Sequence, residues 1–71
     1  MSTIDRISKN LKRLRQQNNL TQQKLAIKMG LSSAGIINKW ENCKAAPEFS
    51  YIDKLCDILQ VDVVEFFKPV N

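Results

Sequence analysis

The side chains able to do chemistry in this chain are amides, hydroxyls and amines. No histidine occurs, and the two cysteines, Cys43 and Cys56, form no C-x-x-C pair, so no zinc set can be assembled. No phosphate-binding loop or nucleophile motif is present. Polar groups of another kind gather between Leu20 and Lys44, among them Gln22, Ser33, Asn38 and Lys39. An asparagine amide can pair bidentately with adenine N6 and N7, and a lysine can donate to guanine O6 or N7 or to a phosphate. A glutamine can donate to a phosphate without repelling it. The pattern points to a nucleic-acid binder and away from an enzyme, with no catalytic residue, metal or cofactor expected.

These residues need elements to aim them. Thr21 is placed to cap a helix whose Leu25, Ala26 and Met29 face inward. Lys24 at the third position leaves the cap to the threonine alone. Gly30 ends this helix where a left-handed residue is wanted. Leu31-Ser32-Ser33 form a turn, and Ser33 or Ser32 caps the next helix, in which Ile37 and Trp40 point inward. With Ser33 as cap, Ala34, Gly35, Asn38 and Lys39 point outward. Two short helices around a glycine-containing turn present the second helix to a groove, which makes double-stranded DNA the leading partner. Ser33, Ala34, Gly35, Asn38 and Lys39 are the expected base-reading set. Ala34 can pack on a thymine methyl, and Gly35 can permit close approach to the backbone. Gln22, beside the free N–H groups opening its helix, is expected at a phosphate.

The flanking segments complete an all-α domain. Ile4, Ile7, Leu11 and Leu14 form an apolar stripe on a first helix capped by Ser2 or Thr3. Arg6, Lys9, Lys12 and Arg13 lie on its other face, and Lys9, Lys12 and Arg13 are expected to add to a positive field. Asn18-Asn19 favours a turn. Pro47 leads into a fourth helix with Ile52, Leu55, Cys56 and Leu59 inward. Asp62 and Glu65 suggest a capping box for a short fifth helix that Pro69 stops. The expectation is one five-helix domain over residues 1–71, with a helix-turn-helix at about 21–41.

Seventy-one residues make a small core, and oligomerisation is a natural supplement to it. Net charge is +4, and its distribution is uneven. Met1 to Lys44 holds nine Lys/Arg and two Asp/Glu, whereas Ala45 onward holds two and five. A basic half of this kind suits a polyanion. No apolar run can span a bilayer, and the polar start lacks the apolar region of a signal peptide. A cytoplasmic, nucleoid-associated protein with reduced thiols is expected.

Leu11-x-x-Leu14-Arg15, Leu20-Thr21-Gln22, Leu25-Ala26-x-x-x-Gly30 and Ile37-x-x-Trp40-Glu41-Asn42 occur in this order. They are followed by Pro47, Leu55-Cys56-x-x-Leu59-x-Val61 and Glu65-Phe66-Phe67. From about Ile7 to Phe67 the chain resembles the phage Cro and repressor (Xre-type) helix-turn-helix family. The resemblance implies a lambda-repressor-like fold, sequence-specific binding to double-stranded DNA, and transcriptional regulation, usually as a homodimer. It further implies phosphate contacts by Asn42 and Lys44, and a partly buried ion pair between Arg15 and Glu41 that orients the reader helix. Trp40 belongs to the core by its spacing from Ile37. One of Phe66 and Phe67 is expected in the core, and the other at a dimer surface with Val63.

The chain departs from the family pattern at two places. One extra residue stands between Gly30 and Trp40. It either lengthens the turn or sits within the third helix, where it rotates the outward set by about 100°. With Ser32 as cap, Ile36 faces the groove and Ala34 turns aside. Cys43 stands where the family favours glycine, so either Asn42 takes the left-handed conformation or the helix ends differently. The leading expectation is a repressor acting on a palindromic operator. The alternative is an antitoxin-like module that masks a partner protein through exposed Ile27 and Phe67.

Overall fold

The structure is a computed structural model, and residues 2–70 are described. Four α-helices follow one another: α1 (Thr3–Gln17), α2 (Gln22–Met29), α3 (Ala34–Glu41) and α4 (Phe49–Leu59). A 3-10 helix, Val63–Phe67, comes last. None of the described helices is long and apolar enough to cross a membrane.

Each start follows from its sequence. Ser2 caps α1 and Asp5 reciprocates, so α1 opens on a complete capping box. Thr21 Oγ1 accepts the Lys24 N–H at 3.0 Å and opens α2. Ser33, not Ser32, stands before α3, but its hydroxyl makes no capping bond. Glu48 precedes α4, also without a side-chain cap.

The helix ends share one device. Asn19, Gly30, Cys43 and Gln60 all have positive φ, between 57° and 73°. In each case the N–H of the next residue reaches back into the last turn. Leu20 bonds to Arg15, Leu31 to Ala26, Lys44 to Lys39 and Val61 to Cys56, at 2.9–3.2 Å. This closure satisfies carbonyls that a helix end otherwise leaves unpaired. Cys43 itself takes the left-handed position (φ 59°), and Asn42 stays at φ −104°. Of the two expected alternatives the structure has the second: the helix ends differently, with Cys43 and not Asn42 left-handed.

Ile7, Leu11, Leu14, Leu25, Ala26, Met29, Ile37, Trp40, Ile52, Leu55, Leu59 and Phe66 form one buried cluster. Every α-helix and the 3-10 segment contribute to it. Phe66 is wholly buried, whereas Phe67 is half-buried against the cluster. Trp40 is a core residue whose ring meets that of Tyr51, with centroids 5.3 Å apart.

The fifth helix is a correction. The segment after Asp62 is a 3-10 turn, and Asp62 caps it by accepting the Val64 N–H. Glu65 does not complete the capping box. Its carboxylate meets the Lys68 ammonium at 2.6 Å and Arg13 at 3.4 Å. Short length, two adjacent β-branched valines and a nearby proline all disfavour an α-helix here. Asn10, fully buried on α1, donates to the carbonyls of Phe66 and Lys68 at 3.0 and 2.9 Å. That amide holds the tighter turn in place.

Candidate nucleic-acid interface

The candidate interface is built on the packing of α2 against α3. Ala26 is buried, and its small side chain lets α3 approach α2 closely. Gly30 turns the chain at φ 73°. A Cβ there would have ordinary room, with Lys54 Nζ nearest at 3.7 Å, so the backbone angle and not space calls for glycine. With Ser33 preceding the helix, Ile37 and Trp40 face the core. The extra residue therefore lies in the turn, and α3 has the first of the two expected registers.

Most of the expected reading residues occupy the outward side. Ser33, Gly35, Asn38 and Lys39 are exposed. Ala34 differs: it is half-buried and packs against the core, as does Ile36. Asn42 and Lys44 are exposed immediately beyond α3. Asn42 Nδ2 donates to the Asn38 carbonyl at 2.8 Å, so part of its amide already finishes the helix. Gly35 meets only Ser33 Oγ, at 3.4 Å from a built Cβ. Nothing within the described chain demands glycine at that position.

A buried polar network anchors this surface. Arg15 Nε and Nη2 donate to the two Glu41 carboxylate oxygens at 2.6 and 2.9 Å. Arg15 Nη1 also donates to the Leu20 carbonyl at 2.8 Å. The side chains are only 10% and 3% exposed, respectively, for Arg15 and Glu41. The hydrogen bond to Glu41 pushes the Arg15 pKa up, against the opposing effect of burial. The pair thus ties the end of α1 to the end of α3, as the family resemblance implied.

Gln22 belongs to the same network. Its Nε2 donates to Glu41 Oε1 at 3.2 Å, and the residue is half-buried. One amide hydrogen is therefore engaged inside the protein, which leaves the second for another acceptor. Arg13, expected to add to a positive field, is instead tied to Asn10 and Glu65. It donates to Asn10 Oδ1 from Nε and Nη2 at 3.2 and 3.1 Å and lies beside Glu65. Lys9 and Lys12 remain exposed.

Three supporting residues have roles that the sequence did not signal. Asn10 is a short polar residue in helical context, which reads as surface, and Asn18 was read only as part of a turn. Yet Asn10 clasps the 3-10 turn, and Asn18 Nδ2 donates to Leu14 and Leu59 carbonyls at 2.9 and 3.3 Å. Lys54, an ordinary lysine of α4, donates to the Met29 carbonyl at 2.9 Å. Cys43 Sγ lies 3.3 Å from Asp5 Oδ1, a contact joining residues 38 positions apart.

A family model described as "Helix-turn-helix" matches residues 11–66, from the middle of α1 to the last core phenylalanine. A search of curated proteins found no match. The matched segment contains all of α2, the turn and α3, together with both members of the Arg15–Glu41 pair. By this match the chain belongs to the phage Cro and repressor (Xre-like) helix-turn-helix family, whose members bind double-stranded DNA.

Proposed function

We propose that this protein is a sequence-specific transcriptional repressor that places α3 in the major groove as a homodimer on a pseudo-palindromic operator. The observation that carries the reading is the two-sided character of α3. Ile37 and Trp40 are buried, whereas Gly35, Asn38 and Lys39 are exposed and are followed by exposed Asn42 and Lys44. Asn38 reads adenine, and Lys39 donates to guanine or a phosphate. Ser33, near the groove-facing start of α3, donates to either. Gln22, Asn42 and Lys44 hold phosphates, with Gln22 using the amide hydrogen not taken by Glu41. No catalysis and no cofactor enter this reading. Val63 and Val64 are exposed apolar residues in the more acidic part of the chain after Lys44, and they supply apolar surface for a second copy. In such a dimer the half-sites lie roughly 34 Å apart.

Selection of binders from a random duplex library tests this directly. The wild type should enrich a two-fold symmetric site. Asn38→Ala should lose discrimination at one base pair of each half-site by about 1–3 kcal/mol. Lys44→Ala should weaken all duplexes alike and reduce the salt slope by about 1. Equal binding of selected and random duplexes would refute specific recognition. A second reading, an antitoxin-like module that also binds DNA, draws on Ile27, which is 66% exposed on α2. A stoichiometric complex with another protein, lost in Ile27→Asp, would favour it.

A further inference from the structure

The turn between α2 and α3 decides where the reader helix starts, and one side chain from outside the motif holds it. At the end of α2, Gly30 N–H bonds to the Ile27 carbonyl and Leu31 N–H to the Ala26 carbonyl, at 3.0 and 2.9 Å. Those bonds occupy the Ala26 and Ile27 carbonyls and leave the Met29 carbonyl, immediately before the turn, without a backbone partner from the closure. The Lys54 ammonium takes it at 2.9 Å. A cation at a helix C-terminus is favoured by the helix dipole as well as by the hydrogen bond. Lys54 stands in the middle of α4, which packs on α2 but carries none of the proposed DNA contacts.

We propose that Lys54 is a positioning residue for DNA recognition: it pins the Met29 carbonyl and thereby fixes the turn that launches α3. The proposal rests on the reading of α3 as the element in the groove. A recognition surface must be held to a fraction of an ångström and about 10–20° to keep its bidentate contacts. The turn contains Leu31-Ser32-Ser33, one residue longer than the family pattern, and Ser33 gives α3 no side-chain cap. This turn therefore depends more on outside support than a tighter one would. The lysine acts from α4, remote in sequence from every residue that touches DNA in the proposed complex.

Lys54→Met and Lys54→Arg test the proposal. Met keeps the aliphatic stem and removes the donor, whereas Arg restores a donor. In Lys54→Met, affinity for the selected duplex should fall about three- to tenfold, the scale of one typical net hydrogen bond. Affinity for random duplex should stay within about twofold, so the specificity ratio falls, because non-specific binding depends on phosphate charge and not on reader alignment. The salt slope should be unchanged. Amide resonances of Gly30 to Ala34 should move in Lys54→Met and return toward wild type in Lys54→Arg. A slope reduced by about 1 would overturn positioning in favour of direct phosphate contact. Equal losses on selected and random duplexes, or unmoved turn resonances, would also overturn it. Should the wild type select no sequence, the groove-reading assignment fails by itself. Lys54 would then be judged on the turn resonances, and their failure to shift would overturn its role independently.

Discussion

At the scale of residues, Gly35 separates what the fold requires from what a ligand requires. Its backbone is ordinary helix, and a Cβ would meet only Ser33 Oγ at an unstrained 3.4 Å. Gly35→Ala should therefore raise stability in a urea melt by up to about 0.5–1 kcal/mol, the mid-helix figure, because glycine loses more backbone freedom than alanine in the first turn of α3 too. If duplex affinity falls at the same time, the DNA surface, not the protein, is what excludes a side chain. For the Arg15–Glu41 pair the opposite is expected: its removal should harm fold and DNA binding together. Arg15→Ala leaves a carboxylate that is 3% exposed with only Gln22 as a partner, and should destabilise by about 3 kcal/mol. Thermal denaturation and duplex titration should show a lower midpoint and a lower affinity. Unchanged stability would mean that Glu41 reaches water once Arg15 is gone. This pair was legible through the family resemblance, which implies it between these two positions. Its connection to Gln22 was not, because a glutamine at a helix start reads as solvent-facing.

At the scale of elements, the four helix ends show how far a shared geometry can hide behind different residues. All four close through a residue of positive φ, but only one of those residues is glycine. Gly30 announces its conformation, and Asn19 suggests it through its tolerance of the left-handed region. Cys43 and Gln60 announce nothing. Both adopt it where the chain closes the helix end, with Lys44 and Val61 donating back to the carbonyls of Lys39 and Cys56. A side chain at such a φ is strained by about 1 kcal/mol or more. Cys43→Gly should accordingly stabilise the protein by about 1 kcal/mol despite the loss of the Asp5 contact, measured by chemical denaturation. A neutral or destabilising result would show that the Cys43–Asp5 contact carries more than an exposed thiol bond usually does. Burial raises the pKa of Cys56, with Asp53, Asp57 and Asp62 adding to the shift. An alkylating agent should label exposed Cys43 well before Cys56, read by mass spectrometry of the two peptides.

At the scale of the whole molecule, charge is sorted more sharply than composition suggests. Arg13 and Lys68 are consumed by Glu65 and the 3-10 turn, whereas Lys39 and Lys44 stay exposed around α3. The same sorting makes stability depend on acid. The Lys68 hydrogen bond, helped by Arg13, holds the Glu65 carboxyl below the usual range, and hydrogen bonds from Ser2 do the same for Asp5. A depressed folded pKa contributes stability that is fully present above the unfolded value and lost as pH falls through the folded one. The melting temperature should thus hold from neutral pH to about 5 and fall below about 4. Glu65→Gln should lower the neutral-pH plateau and flatten part of that fall. An equally steep profile in Glu65→Gln would place the acid sensitivity elsewhere.

The amino-acid order by itself determined the helical class, the helix-turn-helix and the family. Apolar spacing, the Thr21 cap and Gly30 are local signals, and each acts over a few residues with a physical meaning of its own. It also determined the chemistry available at α3, because side-chain type alone sets which base edges can be met. Tertiary structure decided what depends on contacts between distant segments. Two registers of α3 were open until burial of Ile37 and Trp40 selected Ser33 as the residue before it. The 3-10 turn that replaces the fifth helix is held by Asn10, more than fifty positions earlier, which donates to the Phe66 carbonyl and to that of Lys68 just beyond. Ala34 turned from the reading face to the core's edge, and Lys54 became the support of a turn it never adjoins in sequence. The physical reason is common to all of these. Hydrogen bonds and packing between segments are worth as much as local preference, but the sequence records only one partner at a time.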